Sequence, residues 1–228
     1  MIQIFSNFAN DIIVYENNRI ISGGPALWIS QALNDANVPY RLTLGDTPAI
    51  VQIDKDINGD DIGTIISAPI IRSSIAEKSS LLLISTLKDE FDLKVLLDIS
   101  LPICIDIQGF LRGDNGKKKR FDCEIIRTKG EVYIKATREE FSYIDNCTNS
   151  GFTFIITDEG RDIEVLQGNN VYYIPIQSGK FKDTIGAGDI FFAIFCSNIL
   201  EENTIKQSIQ QASIYTYGFL KDKNLINL

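Results

Sequence analysis

The stretch Asp183-Thr184-Ile185-Gly186-Ala187-Gly188-Asp189 is followed at once by the apolar run Ile190-Phe191-Phe192-Ala193-Ile194-Phe195. This run is too apolar for a surface loop and predicts a buried helix. Gly186, Ala187 and Gly188 leave the N–H groups at the start of that helix accessible, and the positive end of the helix dipole favours an anion there. The stretch therefore predicts a phosphate-binding turn, or anion hole, at residues 186–188.

Asp189 falls in the first turn of this predicted helix. A carboxylate at such a position stabilises the helix dipole, which is a common and purely structural role. It can also accept a proton from a substrate hydroxyl beside a phosphoryl group in transfer. The residue types alone leave both roles open.

The heptapeptide as a whole fits Asp-Thr-x-Gly-Ala-Gly-Asp, which resembles the signature of the ribokinase-like, or PfkB-type, carbohydrate kinase family. The resemblance implies that Asp189 is the catalytic base and that the amides of residues 186–188 stabilise the phosphoryl group during transfer. It places Asp183 and Thr184 in the loop on the nucleotide side. It also implies ATP as the phosphoryl donor and Mg²⁺ as the cofactor.

Short segments rich in β-branched or aromatic residues alternate with helix-like stretches, which predicts a buried parallel sheet covered by helices. The family resemblance implies an α/β fold, a ribokinase-like three-layer α/β/α sandwich with a mostly parallel central sheet and a small, reduced β lid. We expect one kinase domain over residues 1–228, with lid strands from about 11–21 and 62–71. The segments that carry the pattern are Leu81-Leu82-Leu83-Ile84, Ile103-Cys104-Ile105 and Phe154-Ile155-Ile156.

Two early segments resemble the family's substrate pocket. Ser6-Asn7-Phe8-Ala9-Asn10-Asp11 is similar to Gly-Asn-x-x-x-Asp, with Ser6 in place of the glycine, and implies that Asp11 binds substrate hydroxyls. Gly23 and Gly24, before Pro25 and a predicted helix at 26–36, resemble the paired glycines beside the sugar. Taken alone, these residues also fit ordinary turns and helix starts.

Trp28 and Arg112 complete the predicted substrate side. Trp28 is the only tryptophan and stands where many family members have an asparagine. Core packing is the commoner role for a large aromatic residue, and stacking on a ring-shaped substrate is the alternative. Asp106 to Arg112 resembles the Asp-x-x-Gly-x-x-Arg segment of sugar and inositol kinases, in which Arg112 would meet an anionic group. A solvated arginine is the alternative.

Two later segments resemble the family's nucleotide side. Lys135-Ala136-Thr137-Arg138-Glu139-Glu140 is similar to Lys-x-Asn-x-x-Glu, with Thr137 in place of the asparagine. This implies that Thr137 meets the nucleotide phosphates and that Glu140 holds Mg²⁺ through water, which suits an ion that dehydrates reluctantly. The same pair also fits a helix capping box. Thr157-Asp158-Glu159-Gly160 resembles the Thr-x-Gly nucleotide loop with its glycine displaced by one residue, so Thr157 and Gly160 are assigned to the nucleotide.

Composition excludes several classes of function. A net charge of -8 and a pI near 4.7 predict no nucleic-acid partner, and the basic run 117–120 is interpreted as a solvated turn. The absence of histidine excludes a His-based triad and the usual zinc site. We expect a cytoplasmic protein without a signal peptide or a membrane span. The cysteines show no CxxC spacing and predict reduced thiols; they are Cys104, Cys123, Cys147 and Cys196.

The sequence thus predicts a kinase that transfers the γ-phosphate of MgATP to a hydroxyl of a sugar or polyol, such as ribose, fructose or inositol. A nucleoside kinase, in which Trp28 would stack on the substrate, is the alternative within the family. A non-catalytic nucleotide or sugar sensor, suggested by Thr137 and by the altered loop at Gly160, is the alternative from another class. The family pairs its lids into dimers, and the short chain leaves a homodimer open.

Overall fold

A large, mostly parallel sheet forms the centre of the fold in a computed structural model. The structure describes residues 1–55, 57, 61–72, 74–113, 117–146, 151–158, 160–177 and 179–226; Cys147 and Glu159, named above, lie outside these ranges. The strands are β1 Ile2–Phe5, β2 Ala9–Ile13, β3 Arg19–Gly23, β4 Tyr40–Thr43, β5 Ala49–Lys55, β6 Asp61–Ser67, β7 Leu81–Ser85, β8 Ile103–Asp106, β9 Phe121–Asp122, β10 Val132–Thr137, β11 Ile144–Asp145, β12 Thr153–Thr157, β13 Ile163–Gln167 and β14 Asn170–Ile174. The helices are α1 Pro25–Asp35, α2 Gln108–Leu111, α3 Arg138–Phe141, α4 Ala187–Leu200 and α5 Ile205–Ile226, with 3₁₀ turns at Val14–Glu16, Leu93–Leu96 and Cys123–Ile125.

The large sheet has the strand order β14-β13-β12-β10-β8-β7-β1-β4. The strands from β12 to β4 pair in parallel, and β13 and β14 add an antiparallel edge. Every residue of β7 is buried, because this central strand is covered on both faces. The apolar runs that predicted a buried parallel sheet therefore form its middle strands.

The two faces of the large sheet are covered differently. On one face, α1, α4 and α5 bury a cluster that contains Ile4, Leu83, Phe192 and Phe195. On the other face, the cluster around Leu82 is covered by α2, α3, 3₁₀ turns and loops, without a long helix among the described residues. The predicted α/β arrangement, with a mostly parallel central sheet between two layers, is confirmed, and its second layer consists of short helical pieces.

The closing helix is longer than the sequence predicts. We expect it to run from about 202 to 217 and to stop at Gly218, but α5 spans Ile205–Ile226 and Gly218 lies inside it. A glycine within a helix costs about 1 kcal/mol. Packing beyond that residue outweighs this cost, because Leu220 is buried and Phe219 meets Trp28 edge to face.

A smaller sheet with the order β3-β2-β5-β6 lies beside the large one. It contains strands from both stretches predicted for a lid. It also contains β5, which was not predicted from the sequence. Its inner face buries Ala9, Ala49 and Val51 against Leu87. Ile20, Ile62 and Ile66 are exposed on this sheet.

Three of the four cysteines lie within the described residues. Cys104 and Cys196 are buried free thiols, and Cys123 is buried as well. No helix in the described ranges is both long enough and apolar enough to cross a membrane.

Candidate active site

A cleft of about 240 Å³ opens where the large sheet, the small sheet and the start of α4 meet. Val51, Ile53 and Ile65 line its small-sheet wall. Such a position, outside the carboxyl ends of parallel strands, is where α/β sheets bind ligands. The predicted site residues that this cleft brings together are Asp11, Gly24, Trp28, Arg112, Gly186 and Asp189.

The turn before α4 has the geometry of an anion-binding helix start. Gly186 is the N-cap, with φ at 84°, a left-handed conformation that favours glycine. A Cβ on Gly186 would lie 2.4 Å from the Trp28 ring, so glycine is required on steric grounds as well. The Ala187 N–H already donates to Thr184 O at 3.1 Å. The other two amides predicted for the anion hole are those of Gly186 and Gly188. Among the described contacts, neither donates to a backbone acceptor.

Asp189 is held at the mouth of the turn. The Ser85 hydroxyl, at the end of β7, donates to Asp189 Oδ1 at 3.2 Å. Burial, and secondly the negative charge of Asp106, raise the pKa of Asp189 from 3.8 to about 7, against the opposing effect of Lys135. A carboxylate with a pKa near neutrality can act as a general base at physiological pH.

Beneath the turn lies a buried ion pair to which the sequence analysis assigned no role. Lys135 Nζ is 2.5 Å from Asp106 Oδ2, and both residues are buried. Burial lowers the pKa of Lys135, but attraction to Asp106 and Asp189 outweighs burial and leaves the pKa raised. A Cβ on Gly188 would lie 3.2 Å from Lys135 Nζ. A cation thus lies beneath the turn that the sequence predicts to bind an anion. The sequence signal for this ion pair was one charged residue in each of two otherwise apolar strands, Lys135 in β10 and Asp106 at the end of β8.

The glycine pair shapes the part of the cleft that contains Asp11. A Cβ on Gly23 would lie 1.9 Å from the Asp11 carboxylate, so Gly23 makes room for that side chain. Gly24 has φ at 85° and lies against the backbone of Ala9. Burial raises the pKa of Asp11. Arg112 Nη1 donates to Leu87 O at 2.9 Å, and Arg112 also lines the cleft.

Trp28 packs against α5 and also lines the cleft. Its ring packs edge to face on Phe219, with centroids 6.1 Å apart, and Lys223 Nζ lies 4.9 Å from the ring centroid. The same ring covers Gly186 and lines the cleft. It is therefore a packing residue on one side and part of the cleft wall on the other.

The end of α5 fixes the loop that contains Asp183. The Asn224 amide donates to Asp183 O at 3.0 Å, and its Oδ1 accepts from the Asp183 N–H at 3.0 Å. Lys223 Nζ donates to Asp183 Oδ1 at 2.8 Å and to Ile185 O at 3.0 Å. Sequence reasoning missed these contacts because it ended the helix before Lys223. Thr184 belongs to the same loop through its contact with Ala187.

Thr137 and Glu140 form a complete capping box at the start of α3. Thr137 N donates to Glu140 Oε2 at 2.8 Å, and Glu140 N donates to Thr137 Oγ1 at 3.1 Å. Thr157 is paired with Thr137 across β10 and β12, at the carboxyl ends of both strands. Gly160 lies in an exposed turn after β12 with φ at 80°, and no described contact joins it to the other site residues.

The described residues contain no group of three carboxylate or thiol side chains that could hold a metal ion. A magnesium ion that arrives on nucleotide phosphates needs only one or two protein carboxylates, often through water. Glu140 fits such a role, because its charge reaches Lys135 beneath the turn and only its Oε2 accepts a described hydrogen bond.

A buried polar network beside the cleft was also missed. Asn7 Nδ2 donates to Glu90 Oε1 at 2.8 Å, and Asn7 Oδ1 accepts from Gly45 N at 2.7 Å. Glu90 Oε2 accepts from the backbone N–H groups of Leu87 and Lys88. The network ties the end of β1 to the loop that accepts the Arg112 hydrogen bond.

Comparison with known proteins agrees with the geometry. The profile of the "pfkB family carbohydrate kinase" family matches residues 141–215. No curated protein sequence matches the chain.

Solved structures of similar fold cover nearly the whole chain. A putative ribokinase from Thermoplasma acidophilum has a TM-score of 0.74 at 14% identity, with 96% of this chain and 90% of that chain covered. A pyrophosphate-dependent kinase of the ribokinase family, in a sulfate complex, has a TM-score of 0.67 at 15% identity and coverages of 97% and 95%. A Burkholderia thailandensis nucleoside kinase in complex with inosine has 0.68 at 16% identity, with coverages of 95% and 88%. The resemblance to ribokinase-like carbohydrate kinases and the ribokinase-like fold are confirmed.

Proposed function

We propose that this protein is a kinase that transfers the γ-phosphate of MgATP to a hydroxyl of a sugar or polyol. The observation that carries the proposal is Asp189, whose pKa is raised to about 7 and which stands beside the anion-binding turn in the wall of the cleft. A pKa near neutrality suits a carboxylate that acts as a general base for a hydroxyl. The N–H groups of the turn suit phosphoryl transfer, because they can stabilise the negative charge that develops.

In the proposed reaction Asp189 takes the proton of the acceptor hydroxyl while its oxygen attacks the γ-phosphorus in line. The new oxygen–phosphorus bond forms as the bond to the bridging oxygen breaks, and ADP leaves with that electron pair. The amides of Gly186 and Gly188 stabilise negative charge on the transferring group, and the Lys135 ammonium lies beneath them. Magnesium, when bound, neutralises charge on the donor phosphates, and Glu140 would hold it through water.

Positioning of the acceptor falls to the other side of the cleft. Asp11 would accept hydrogen bonds from substrate hydroxyls, in the space that Gly23 leaves for its carboxylate. The small sheet would cover the substrate as a lid, since Val51 and Ile65 already form one wall. Thr137, Thr157, Gly160, Asp183 and Thr184 are proposed on the nucleotide side.

The acceptor and the donor are identified by one experiment. Purified protein is incubated with MgATP or magnesium pyrophosphate and with ribose, fructose, myo-inositol or a nucleoside panel, and products are followed by ³¹P NMR. Pyrophosphate is included because similar folds belong to pyrophosphate-dependent kinases. The proposal expects a new phosphomonoester from ATP and a sugar or polyol. Formation of product from pyrophosphate only would overturn the donor assignment.

A nucleoside acceptor is the alternative that a specific observation favours. The Trp28 ring lines the cleft and could stack on a nucleobase. Turnover of nucleosides alone, lost on Trp28→Leu, would select this alternative. A sensor without catalysis is the remaining alternative, and ATP binding without turnover of any acceptor would select it.

We further propose a homodimer formed through the exposed face of the small sheet. The exposed side chains of Ile20, Ile62 and Ile66 support this proposal, because large apolar side chains grouped on one sheet suit an interface. Light scattering of the purified protein is expected to give twice the mass of the chain. A monomer mass at micromolar concentration would refute the homodimer.

A further inference from the structure

Four buried polar side chains lie side by side at the carboxyl ends of neighbouring strands, beneath the start of α4. In the register of the large sheet, Ser85 is paired with Asp106, and Asp106 is paired with Lys135. Ser6 follows the last paired residue of β1 and therefore lies next to Ser85. Neighbouring residues of this kind direct their side chains to the same face of a sheet. The row thus places two hydroxyl groups beside the buried ion pair.

The Ser85 hydroxyl is committed to Asp189. It has one proton, and the described acceptor for that proton is Asp189 Oδ1, at 3.2 Å. The neighbouring Ser6 hydroxyl has no described hydrogen-bond partner and does not compete for it. Ser85 ends a buried apolar strand, where a hydroxyl without a hydrogen bond would be costly. A distance above the usual value of about 2.8 Å is common for catalytic hydrogen bonds before the substrate binds.

The two oxygens of the Asp189 carboxylate therefore have different surroundings. Oδ1 accepts the Ser85 proton, whereas Oδ2 accepts no hydrogen bond among the described contacts. An oxygen that already accepts a hydrogen bond holds a further proton less readily. Because the terminal torsion of an aspartate is soft, a partner that fixes Oδ1 also fixes the direction of Oδ2. Asp189 lines the cleft, so Oδ2 is the oxygen left for a ligand.

The hydrogen bond acts within a set of charges around the same carboxyl group. Burial and then Asp106 raise the pKa of Asp189, and Lys135 and then the Ser85 hydrogen bond lower it. Ser85 is thus the uncharged contributor to this pKa among the side chains beneath the turn. Two charged groups come from the sheet, one follows α2 and one lies across the cleft; they are Asp106, Lys135, Arg112 and Asp11.

We infer that Ser85 is a positioning residue for the proposed base, which fixes Oδ1 of Asp189 and leaves Oδ2 to take the proton of the acceptor hydroxyl. This inference rests on the proposed kinase function. The O–H bond of the acceptor breaks as a new O–H bond forms at Oδ2. The electron pair of the broken bond stays on the acceptor oxygen, which attacks the γ-phosphorus.

The kinetic test compares the wild-type protein with Ser85→Ala, with the acceptor found for the wild type. Because the hydrogen bond lowers the pKa of Asp189, its loss should move the acidic limb of kcat/KM to higher pH by about one unit. Above the limb, where Asp189 is deprotonated in both proteins, kcat should still be about tenfold lower, because the carboxylate is no longer oriented. The KM values for acceptor and MgATP should change little, since Ser85 is fully buried.

Ser197→Ala is the matched control. Ser197 is also buried, and it lies about two turns from Asp189 in α4. Its hydroxyl donates to Ile194 O at 2.8 Å, inside the helix. This variant should leave both the acidic limb and the kcat above it unchanged.

Titration of the Asp189 carboxyl group makes the test independent of turnover. Protein labelled with ¹³C at the side-chain carboxyl carbon of aspartate is followed by NMR between pH 4 and 9, and Asp189→Asn identifies the signal of Asp189. In Ser85→Ala this signal should titrate about one unit higher than in the wild-type protein. In Ser197→Ala it should titrate as in the wild type.

The outcomes separate this inference from the kinase proposal. An Asp189 titration that Ser85→Ala leaves unchanged, or an unchanged kcat above the limb, would overturn the inference and leave the kinase proposal standing. A shift of equal size in Ser197→Ala would overturn it as well. The expected shift in the titration, without turnover of any acceptor by the wild-type protein, would support the contact of Ser85 with Asp189 and count against the kinase proposal.

Discussion

The pH dependence of catalysis should report the charges around Asp189. Its pKa of about 7 means that half of the carboxyl groups are deprotonated at pH 7. Below that pH the fraction of free base, and with it kcat/KM, falls about tenfold per unit. A pKa at the ordinary 3.8 would instead give a flat profile from pH 5 upward.

Two variants should move this acidic limb in opposite directions. Lys135→Met removes a cation that lowers the pKa of Asp189, so the limb should move to higher pH. Asp106→Asn removes an anion that raises this pKa, so the limb should move to lower pH. Because Lys135 and Asp106 are both buried, losing either partner costs about 3–5 kcal/mol of stability.

The assay is a coupled ADP-release measurement of kcat/KM between pH 5 and 9, with the acceptor found for the wild-type protein. Thermal melts in the same buffers identify the range in which each variant is folded. A wild-type limb near pH 4 would refute the assignment of Asp189 as the base with a raised pKa. If the acidic limb of the pH profile moved in the same direction in both variants, the opposite effects of Lys135 and Asp106 on the pKa of Asp189 would be refuted.

Three further variants test the stability and geometry of the site. In the folded protein the pKa of Asp189 is raised, so its stabilising contribution is fully present below pH 3.8 and is lost as the pH rises through 7. Asp189→Asn should therefore raise the free energy of unfolding, followed by thermal melts, by about 4 kcal/mol at most at pH 8 and by less at pH 5. Gly186→Ala should lower the free energy of unfolding by about 1–2 kcal/mol from its backbone conformation alone, and by more because the new Cβ meets the Trp28 ring. The fluorescence of Trp28, the single tryptophan, should shift as well. Lys223→Met should lower kcat about tenfold with little change in thermal stability, because it releases Asp183 and the turn that follows.

Matched controls separate these effects from general damage. Gly168→Ala changes a glycine with φ at 57° and open space around it, so it should cost only the backbone term and leave the fluorescence unchanged. Lys221→Met removes an exposed lysine from the same helix as Lys223 and should leave kcat unchanged. Equal losses in Gly186→Ala and Gly168→Ala, or in the two lysine variants, would contradict the contacts described.

The parts of the site that sequence could predict are those coded by local pattern. The turn at 186–188 and the helix after it follow from a glycine-rich stretch next to an apolar run, and they occur as predicted. Gly23 and Gly24 likewise stand where a side chain or a backbone segment leaves no room for a Cβ. Local sequence was informative at these positions because a positive φ and the lack of a Cβ are properties of glycine itself, even where the group that fills the space is distant in sequence.

The parts that sequence did not predict depend on contacts between distant segments. The ion pair of Lys135 with Asp106 joins residues 29 positions apart, and neither residue alone indicates the partner. The continuation of α5 past Gly218 depends on Trp28 and on the loop at Asp183, which propensity does not include. The sequence does contain a signal for β5, because Val51, Gln52, Ile53 and Asp54 alternate between apolar and polar residues as in a half-exposed strand, and this signal was missed.

The most direct test of the central claim is phosphoryl transfer by Asp189→Asn, measured beside ATP binding on the same preparation. The account predicts a loss of about 10²–10⁴-fold in kcat, with the Kd for MgATP within about threefold of the wild-type value. An Asp189→Asn variant that keeps most of its turnover would contradict it.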